Sequence, residues 1–231
     1  MIPCLLLLPD TSLGNRRKQE EKEKSLSFFQ AFHTLVQNRR FLFWLGIITF
    51  YWFSHRLVGS FLSLIIVELG GDAETYGNVC GAGAAVEFAG LMLLAFAWKK
   101  KNSHALLGMA IALITNLLRP LCFQLFSSTW ALYLGQMLQC ASFAFYMSVS
   151  VECFLVEGIL ILADERLRSF SISMGLTVSS VVGTVLANLV GGRLCDMFHP
   201  GILILVSFAL GFLNSAVFFA ERLYHSMEKH G

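Results

Sequence analysis

Charged residues are scarce in this sequence. Asp, Glu, Lys and Arg make up only 14% of the 231 residues, whereas soluble globular domains carry about a quarter. This content excludes an ordinary water-soluble domain. Proline is also rare, with 4 residues, and the 19 glycines fall mainly inside apolar runs, as in packed membrane helices. These runs, of roughly 20 to 28 residues, are long enough to cross a hydrocarbon core of about 30 Å. The sequence therefore predicts an all-α, polytopic membrane bundle embedded in a lipid bilayer.

Motifs for catalysis or metal binding are absent from the sequence. The six cysteines occur singly, without a CxxC pair, which favours packing residues over a metal site or disulfides. There is no HExxH, GxSxG or GxxxxGK[ST], so we predict no enzyme activity, catalytic residue, metal or cofactor. A transporter without an ATP site must use an ion gradient or the gradient of its substrate. The net charge of +2 does not indicate nucleic acid, because the basic residues follow the predicted topology.

The chain divides into four segments. Residues 1–9 are apolar but too short to span a membrane, and we expect the remnant of a preceding transmembrane helix there. Residues 10–40 are polar, which predicts a cytoplasmic linker with a short surface helix over 25–37. Residues 41–222 predict a bundle of about six transmembrane helices, and 223–231 a cytoplasmic tail. The expected spans are 41–69, 75–98, 104–126, 129–155, 169–195 and 200–221.

The distribution of basic residues predicts the orientation. Seven Lys and Arg precede the first span, three follow the second, two follow the fourth and two follow the sixth. The alternate connections contain none, apart from Arg193 at the end of the fifth span. By the positive-inside rule, both termini are expected in the cytoplasm. The sequence thus predicts a multi-pass protein of the cell membrane.

Two spans carry stripes of small residues at four-residue spacing. Such stripes let helix backbones approach closely in lipid, so we expect close helix packing along both. The second span contains Gly77, Gly81, Ala85 and Ala89; the fifth contains Gly175, Ser179, Gly183, Ala187 and Gly191.

Two opposite charges are expected near the middle of the first two spans, namely Arg56 and Glu87. An ionisable side chain at this depth costs several kcal/mol unless it is paired or hydrated. The two spans are antiparallel, so an ion pair between Arg56 and Glu87, direct or through water, is expected. Desolvation and a nearby cation pull the pKa of a carboxylate in opposite directions, which suits uptake and release of a proton. We therefore predict proton coupling through Glu87 and Arg56. The alternative is a fixed pair that only joins two helices.

Further polar residues within the spans are candidates for substrate binding. Arg119 could bind an anionic or hydroxyl-bearing substrate, or extend to the outer headgroups. Amides and a phenol that face a cavity suit a sugar, nucleoside or aromatic acid, but they equally suit hydrogen bonds between helices. The candidates are His55, Asn116, Arg119, Gln136, Gln139 and Tyr146.

Several segments resemble a known family. GAAVEFAGLML at 83–93 is similar to the eighth-helix segment, whose Glu is implicated in proton coupling, of major facilitator superfamily transporters related to lactose permease and to the nucleoside–proton and phenylpropionate symporters. Residues 60–77, 133–153, 163–173 and 191–201 resemble, in order, the outer hairpin between the seventh and eighth helices, the tenth helix, the start of the eleventh, and the turn into the twelfth. The resemblance implies the C-terminal six-helix half of such a transporter.

This resemblance implies a function and a partner. The expected activity is proton-coupled symport of a small polar or aromatic solute such as a sugar, nucleoside or aromatic acid. An N-terminal six-helix half is the expected partner, because transport works by rocking one half against the other. The alternative is a non-transporting truncated membrane fragment or an interaction subunit.

Overall fold

The computed structural model describes residues 28–97, 105–125, 128–161 and 165–228. Regular structure within these ranges is entirely α-helical. The helices are α1 (Phe28–Gln37), α2 (Arg39–Gly59), α3 (Leu62–Glu68), α4 (Ala73–Ala97), α5 (Ala105–Leu125), α6 (Thr129–Ile161), α7 (Glu165–Met197) and α8 (Ile202–Glu228). The expected remnant helix at 1–9, residues 10–27 of the expected linker and the end of the expected tail at 229–231 lie outside the described residues.

Six of these helices are long and apolar enough to cross a membrane, namely α2 and α4 to α8. The predicted all-α class and the number of candidate spans are therefore confirmed. The helices α6, α7 and α8 extend beyond the predicted spans, and α8 continues through residues 223–228, which were expected to form the tail. Such a set of helices is compatible with a multi-pass membrane protein.

The first predicted span, 41–69, is not one helix. The hydrogen-bond ladder of α2 ends where Ser60 N–H donates to Arg56 O at 2.8 Å, and it resumes where Ile65 N–H donates to Phe61 O at 3.1 Å. Adjacent Gly and Ser residues are common at helix breaks, and Gly59 precedes Ser60. Beyond α3 the chain turns at Gly70, whose positive φ of 81° suits glycine. The sequence interpretation missed this break because hydropathy continues across it.

The short helix α1 lies within the segment where a surface helix is expected. It buries Ala31 and Leu35 completely in the core of the bundle, whereas Phe29 remains 78% exposed. Asn38 follows α1, and its Oδ1 accepts hydrogen bonds from the N–H groups of Arg40 at 2.9 Å and Phe41 at 3.1 Å. Such a side chain satisfies amides that have no partner within the helix, so Asn38 defines the start of α2.

The principal helix contacts follow an exchange pattern. The helix α2 packs on α7 and α8, α6 packs on α4 and α5, and α5 packs on α8. If α2 is exchanged with α6, α4 with α7 and α5 with α8, the same set of contacts results. A further contact between α6 and α7 is additional to this set. The largest buried cluster lies where α2 meets α6 and α7, around Phe41, Ile48, Tyr51, Tyr146 and Phe154.

The two stripes of small residues have opposite environments. All five stripe residues of α7 are buried, and Gly183 packs against the backbone of α2 at Thr49 and Phe53. All four stripe residues of α4 are exposed, and nothing lies within 4 Å of a Cβ built at Gly77 or Gly81. Close packing is therefore confirmed for α7 and is wrong for α4 within this chain, because α4 turns its stripe away from α6.

Candidate functional site

A pocket of about 220 Å³ lies between α2, α4, α5 and α6. It lies beside the break after α2, so residues on both sides of the break, Gly59 and Leu62, contribute to its wall. The helix α4, the most exposed of the six long helices, closes one side. The lining residues are His55, Arg56, Gly59, Leu62, Cys80, Gly83, Ala84, Glu87, Arg119, Gln136 and Gln139.

Six of the eight predicted site residues meet in this wall. They come from four helices that are distant in sequence, so their proximity is a result of the tertiary structure. Their roles in binding and proton coupling remain predictions. The six are His55, Arg56, Glu87, Arg119, Gln136 and Gln139.

Glu87 is bonded to an amide rather than to Arg56. Gln139 Nε2 donates to Glu87 Oε1 at 2.5 Å, and this bond joins α6 to α4. No direct ion pair between Arg56 and Glu87 forms within 4.0 Å in the described part of the chain, so the direct form of the expected pair is wrong. The guanidinium of Arg56 instead lies over the ring of Trp52, 4.9 Å from its centroid. Arg56 is near the end of α2, and a cation–π contact with the preceding turn partly compensates its burial.

Arg119 points into the bundle and not to the headgroups. Its side chain is only 2% exposed and lines the pocket, so the alternative in which it extends to the outer surface is wrong. Arg119 Nη1 lies 3.4 Å from His55 Nδ1, a distance at which it can donate when the imidazole proton is on Nε2. Its guanidinium lies 5.9 Å from the centroid of Phe123. The prolyl residue Pro120 lies inside α5 directly after Arg119.

Asn116 and Tyr146 lie outside the pocket wall, although both were predicted to bind substrate. Asn116 is buried and donates from Nδ2 to Ser54 Oγ at 2.7 Å, which joins α5 to α2. Tyr146 is fully buried and stacks on Tyr51, with ring centroids 3.9 Å apart and planes inclined by 7°. Asn116 therefore makes a hydrogen bond between helices, the alternative that the sequence left open, whereas Tyr146 packs against α2 by ring stacking.

An aromatic layer beneath the pocket was missed by the sequence interpretation. Tyr51 stacks on Tyr146 and, at 5.7 Å, on the imidazole of His55. The hydroxyl of Tyr51 is 2.7 Å from Ser142 Oγ. The Ser142 hydroxyl in turn donates to Ala112 O at 3.0 Å. The four-residue spacing of Tyr51 and His55 places both on one helix face, which is the signal that could have indicated this layer.

A second cavity, of about 260 Å³, lies between α2 and α8 and is almost entirely apolar. Its one amide, Asn214, donates to Ile47 O at 3.0 Å and is therefore satisfied within the fold. This cavity offers no ionisable group for chemistry.

Comparison with protein families, curated proteins and solved structures gave no match for this chain. The arrangement of the pocket therefore carries the functional argument.

Proposed function

We propose that this chain is a six-helix unit of a secondary transporter of the major facilitator type, which moves a small polar or aromatic solute together with a proton. The observation that carries the proposal is the pocket itself, in which a carboxylate and two guanidiniums meet between apolar helices. Placing an ionisable side chain in such a helix costs free energy, and in membrane proteins such residues commonly mark solute and proton pathways.

The depth of these groups supports the proposal. Glu87 is residue 15 of the 25 in α4, so it lies about 21 Å along a helix of about 38 Å. Arg119 is likewise residue 15 of the 21 in α5. Glu87 is far from both ends of its helix, and Arg119, which lies about 9 Å before the end of α5, is only 2% exposed and therefore points into the bundle. Both groups are held by the pocket, where a solute or a proton can interact with them.

The exchange pattern of the helix contacts also supports this type of fold. Each six-helix half of a major facilitator transporter consists of two three-helix repeats of inverted topology. Here the contacts of α2, α4 and α5 with α6, α7 and α8 are preserved when the two triplets are exchanged. The leading helices of the triplets, α2 and α6, supply five lining residues of the pocket.

In the proposed mechanism, Glu87 carries the proton. The ionised carboxylate accepts a charge-assisted hydrogen bond from Gln139, which stabilises the contact of α4 with α6. Protonation removes the charge and weakens this bond, so α4 is released to reorient. Arg56 and Arg119 line the same wall as Glu87. Glu87 thus couples its proton to the position of a helix.

A second six-helix unit, on this or another chain, is the proposed partner. Alternating access requires two units that rock around a site between them. The small-residue stripe of α4 is exposed and permits close approach of another helix. The proposed location is the cell membrane with both termini in the cytoplasm, since the basic residues cluster in alternate connections.

Solute-dependent proton movement tests this function. Cells that express the chain with a cytosolic pH indicator are given a labelled sugar, nucleoside or aromatic acid. We expect one of these classes to accumulate and to acidify the cytosol, and Glu87→Gln to abolish accumulation against a gradient. Glu74→Gln is the matched control, because Glu74 lies on the same helix but is exposed in its first turn. Unchanged accumulation by Glu87→Gln would refute the coupling mechanism.

The exposed α4 stripe is equally compatible with the alternative, an interaction subunit that transports nothing, because a partner helix could pack there whether or not a solute moves. A photo-reactive amino acid at Gly81, where a side chain meets no atom of this chain within 4 Å, tests for such a partner. Cross-linking there, without proton movement for any solute class, would favour the interaction subunit.

A further inference from the structure

The charges around the pocket do not balance. Arg56 and Arg119 contribute two positive charges to the wall, and Glu87 contributes one negative charge. The other lining residues carry no formal charge when His55 is neutral. Arginine cannot lose its proton in a protein, so the excess of positive charge persists, and it grows when Glu87 is protonated. A charge that is withdrawn from water without a partner is costly, which makes an anion the favoured ligand.

Arg119 has unused donors. Its one hydrogen-bonding contact to a side chain among the described residues is with His55 Nδ1, and its Nε has no partner there. At 2% exposure the side chain cannot satisfy these donors at an outer surface. A guanidinium offers five N–H donors in a planar fork, which matches the two oxygens of a carboxylate.

Arg56 repeats this arrangement on the neighbouring helix. Its Nε is buried and also lacks a partner in the ranges that the structure covers. Its guanidinium is held over Trp52 rather than by an acidic group. No carboxylate of the described residues lies within 4.0 Å of either Arg56 or Arg119. Two guanidiniums without an acidic partner among the described residues therefore line the same pocket of about 220 Å³.

The pocket also presents one unsatisfied acceptor. Gln139 uses its Nε2 for Glu87, whereas its Oε1 is buried and accepts no hydrogen bond within the described residues. A ligand hydroxyl or N–H group can satisfy this oxygen. The volume of about 220 Å³ is below the range of about 300–1,000 Å³ that is typical of drug-sized sites, which favours a compact ligand.

We propose that the pocket recognises the carboxylate group of a small organic acid through Arg119 and Arg56, with a hydroxyl group of that acid on Gln139. This inference rests on the proposed function, because it identifies the co-transported solute as an organic anion rather than a sugar or a nucleoside. The carboxylate supplies the missing negative charge: the loaded pocket is neutral when Glu87 is ionised, and it keeps a single positive charge when Glu87 is protonated.

Ligand-induced stabilisation tests the proposal. The full chain is placed in nanodiscs of zwitterionic lipid, and its Tm is followed by tryptophan fluorescence with lactate, mandelate, their uncharged amides and inorganic phosphate. We expect saturable stabilisation by at least one hydroxy acid and none by its amide, because binding to the folded state raises Tm. Equal stabilisation by the amides would overturn anion recognition. Stabilisation by phosphate alone would overturn the proposal and assign the site to another anion. If phosphate is ineffective and the hydroxy acid no longer stabilises the chain in nanodiscs of anionic lipid, the site would instead be assigned to a lipid headgroup.

Arginine variants identify the binding groups. Arg119→Gln is expected to weaken hydroxy-acid binding by about ten- to a hundredfold, the equivalent of a lost hydrogen bond to a charged group. Arg193→Gln is the matched control, since Arg193 is exposed on α7, and it should bind as the unmodified chain does. Where Arg119→Gln does not give a monodisperse protein, Arg56→Gln on the half-buried arginine provides the same measurement. Undiminished binding by a folded variant of either arginine would overturn the proposal.

The two proposals fail in different ways. Proton-coupled accumulation of a neutral sugar or nucleoside, dependent on Glu87, would overturn the carboxylate inference and leave the transport function intact. Arginine-dependent binding of a hydroxy acid without proton movement in cells would overturn the transport function and support the carboxylate site. A complete absence of stabilisation by every acid would also overturn the inference, whatever the cells transport.

Discussion

Replacing Gly183 by alanine tests whether the buried stripe of α7 determines how closely α7 and α2 pack. A Cβ at Gly183 would lie 2.6 Å from Trp52 Cβ, 2.9 Å from Thr49 O and 3.0 Å from Phe53 N. Two of these three atoms belong to the backbone of α2, so no side-chain rotation relieves the contacts and the two helices must separate. Overpacking of this kind costs about 1–3 kcal/mol.

Gly81→Ala on α4 is the matched control. Both glycines lie inside long helices, and each variant gains about 1 kcal/mol of helix propensity. Nothing lies within 4 Å of a Cβ at Gly81, so its substitution carries no steric cost within this chain. The difference between the two variants therefore isolates the contact of α7 with α2. We expect Gly183→Ala to be less stable than Gly81→Ala by about 1–3 kcal/mol.

The assay is unfolding of the purified chain by SDS in mixed micelles, followed by tryptophan fluorescence and circular dichroism. Fitted free energies of unfolding give the difference directly, provided that both variants show a single transition. Equal stability of Gly183→Ala and Gly81→Ala would refute the reasoning, because it would mean that α7 and α2 are not in close backbone contact.

Two further predictions concern the supporting structure. Tyr51→Phe removes the hydroxyl bonded to Ser142 at 2.7 Å and should destabilise the chain by about 1 kcal/mol in the same SDS titration. An unchanged free energy of unfolding would contradict this prediction. Asp72 lies directly before α4, and the N–H and hydroxyl of Thr75, in the first turn of α4, donate to its carboxylate and hold its pKa below the ordinary value. This stabilisation is present above the unfolded-state pKa and is lost as pH falls through the folded-state pKa. Asp72→Ala should therefore be less stable at neutral pH, with a difference that disappears in acid; a constant difference across a pH series would contradict it.

The number and type of the long helices could be predicted from the sequence, because membrane-spanning length and apolar composition are local properties. The break after α2 could not, since Gly59 and Ser60 lie inside a hydrophobic run and hydropathy does not distinguish a broken helix from a continuous one. Helix breaks depend on which backbone groups find partners, and that is settled by the surrounding helices.

The candidate site was predicted in part for a similar reason. The rarity of ionisable groups in apolar helices was enough to single out Glu87, Arg56 and Arg119, and all three line one pocket. The sequence could not distinguish these from Asn116 and Tyr146, because a polar side chain within a span faces either a cavity or another helix. Only the rotation of each helix about its axis decides between these two.

The sequence by itself thus determined the number of long helices, their apolar composition and membrane-spanning length, and the residues whose burial demands an explanation. These follow from composition and from the cost of placing charge in hydrocarbon. The tertiary structure decided that the carboxylate of Glu87 bonds to Gln139, that two arginines face the pocket without an acidic partner, and that one small-residue stripe is buried while the other is exposed. Those outcomes depend on distances between helices far apart in sequence, and lipid-facing and helix-facing surfaces have similar compositions, so no local pattern distinguishes them.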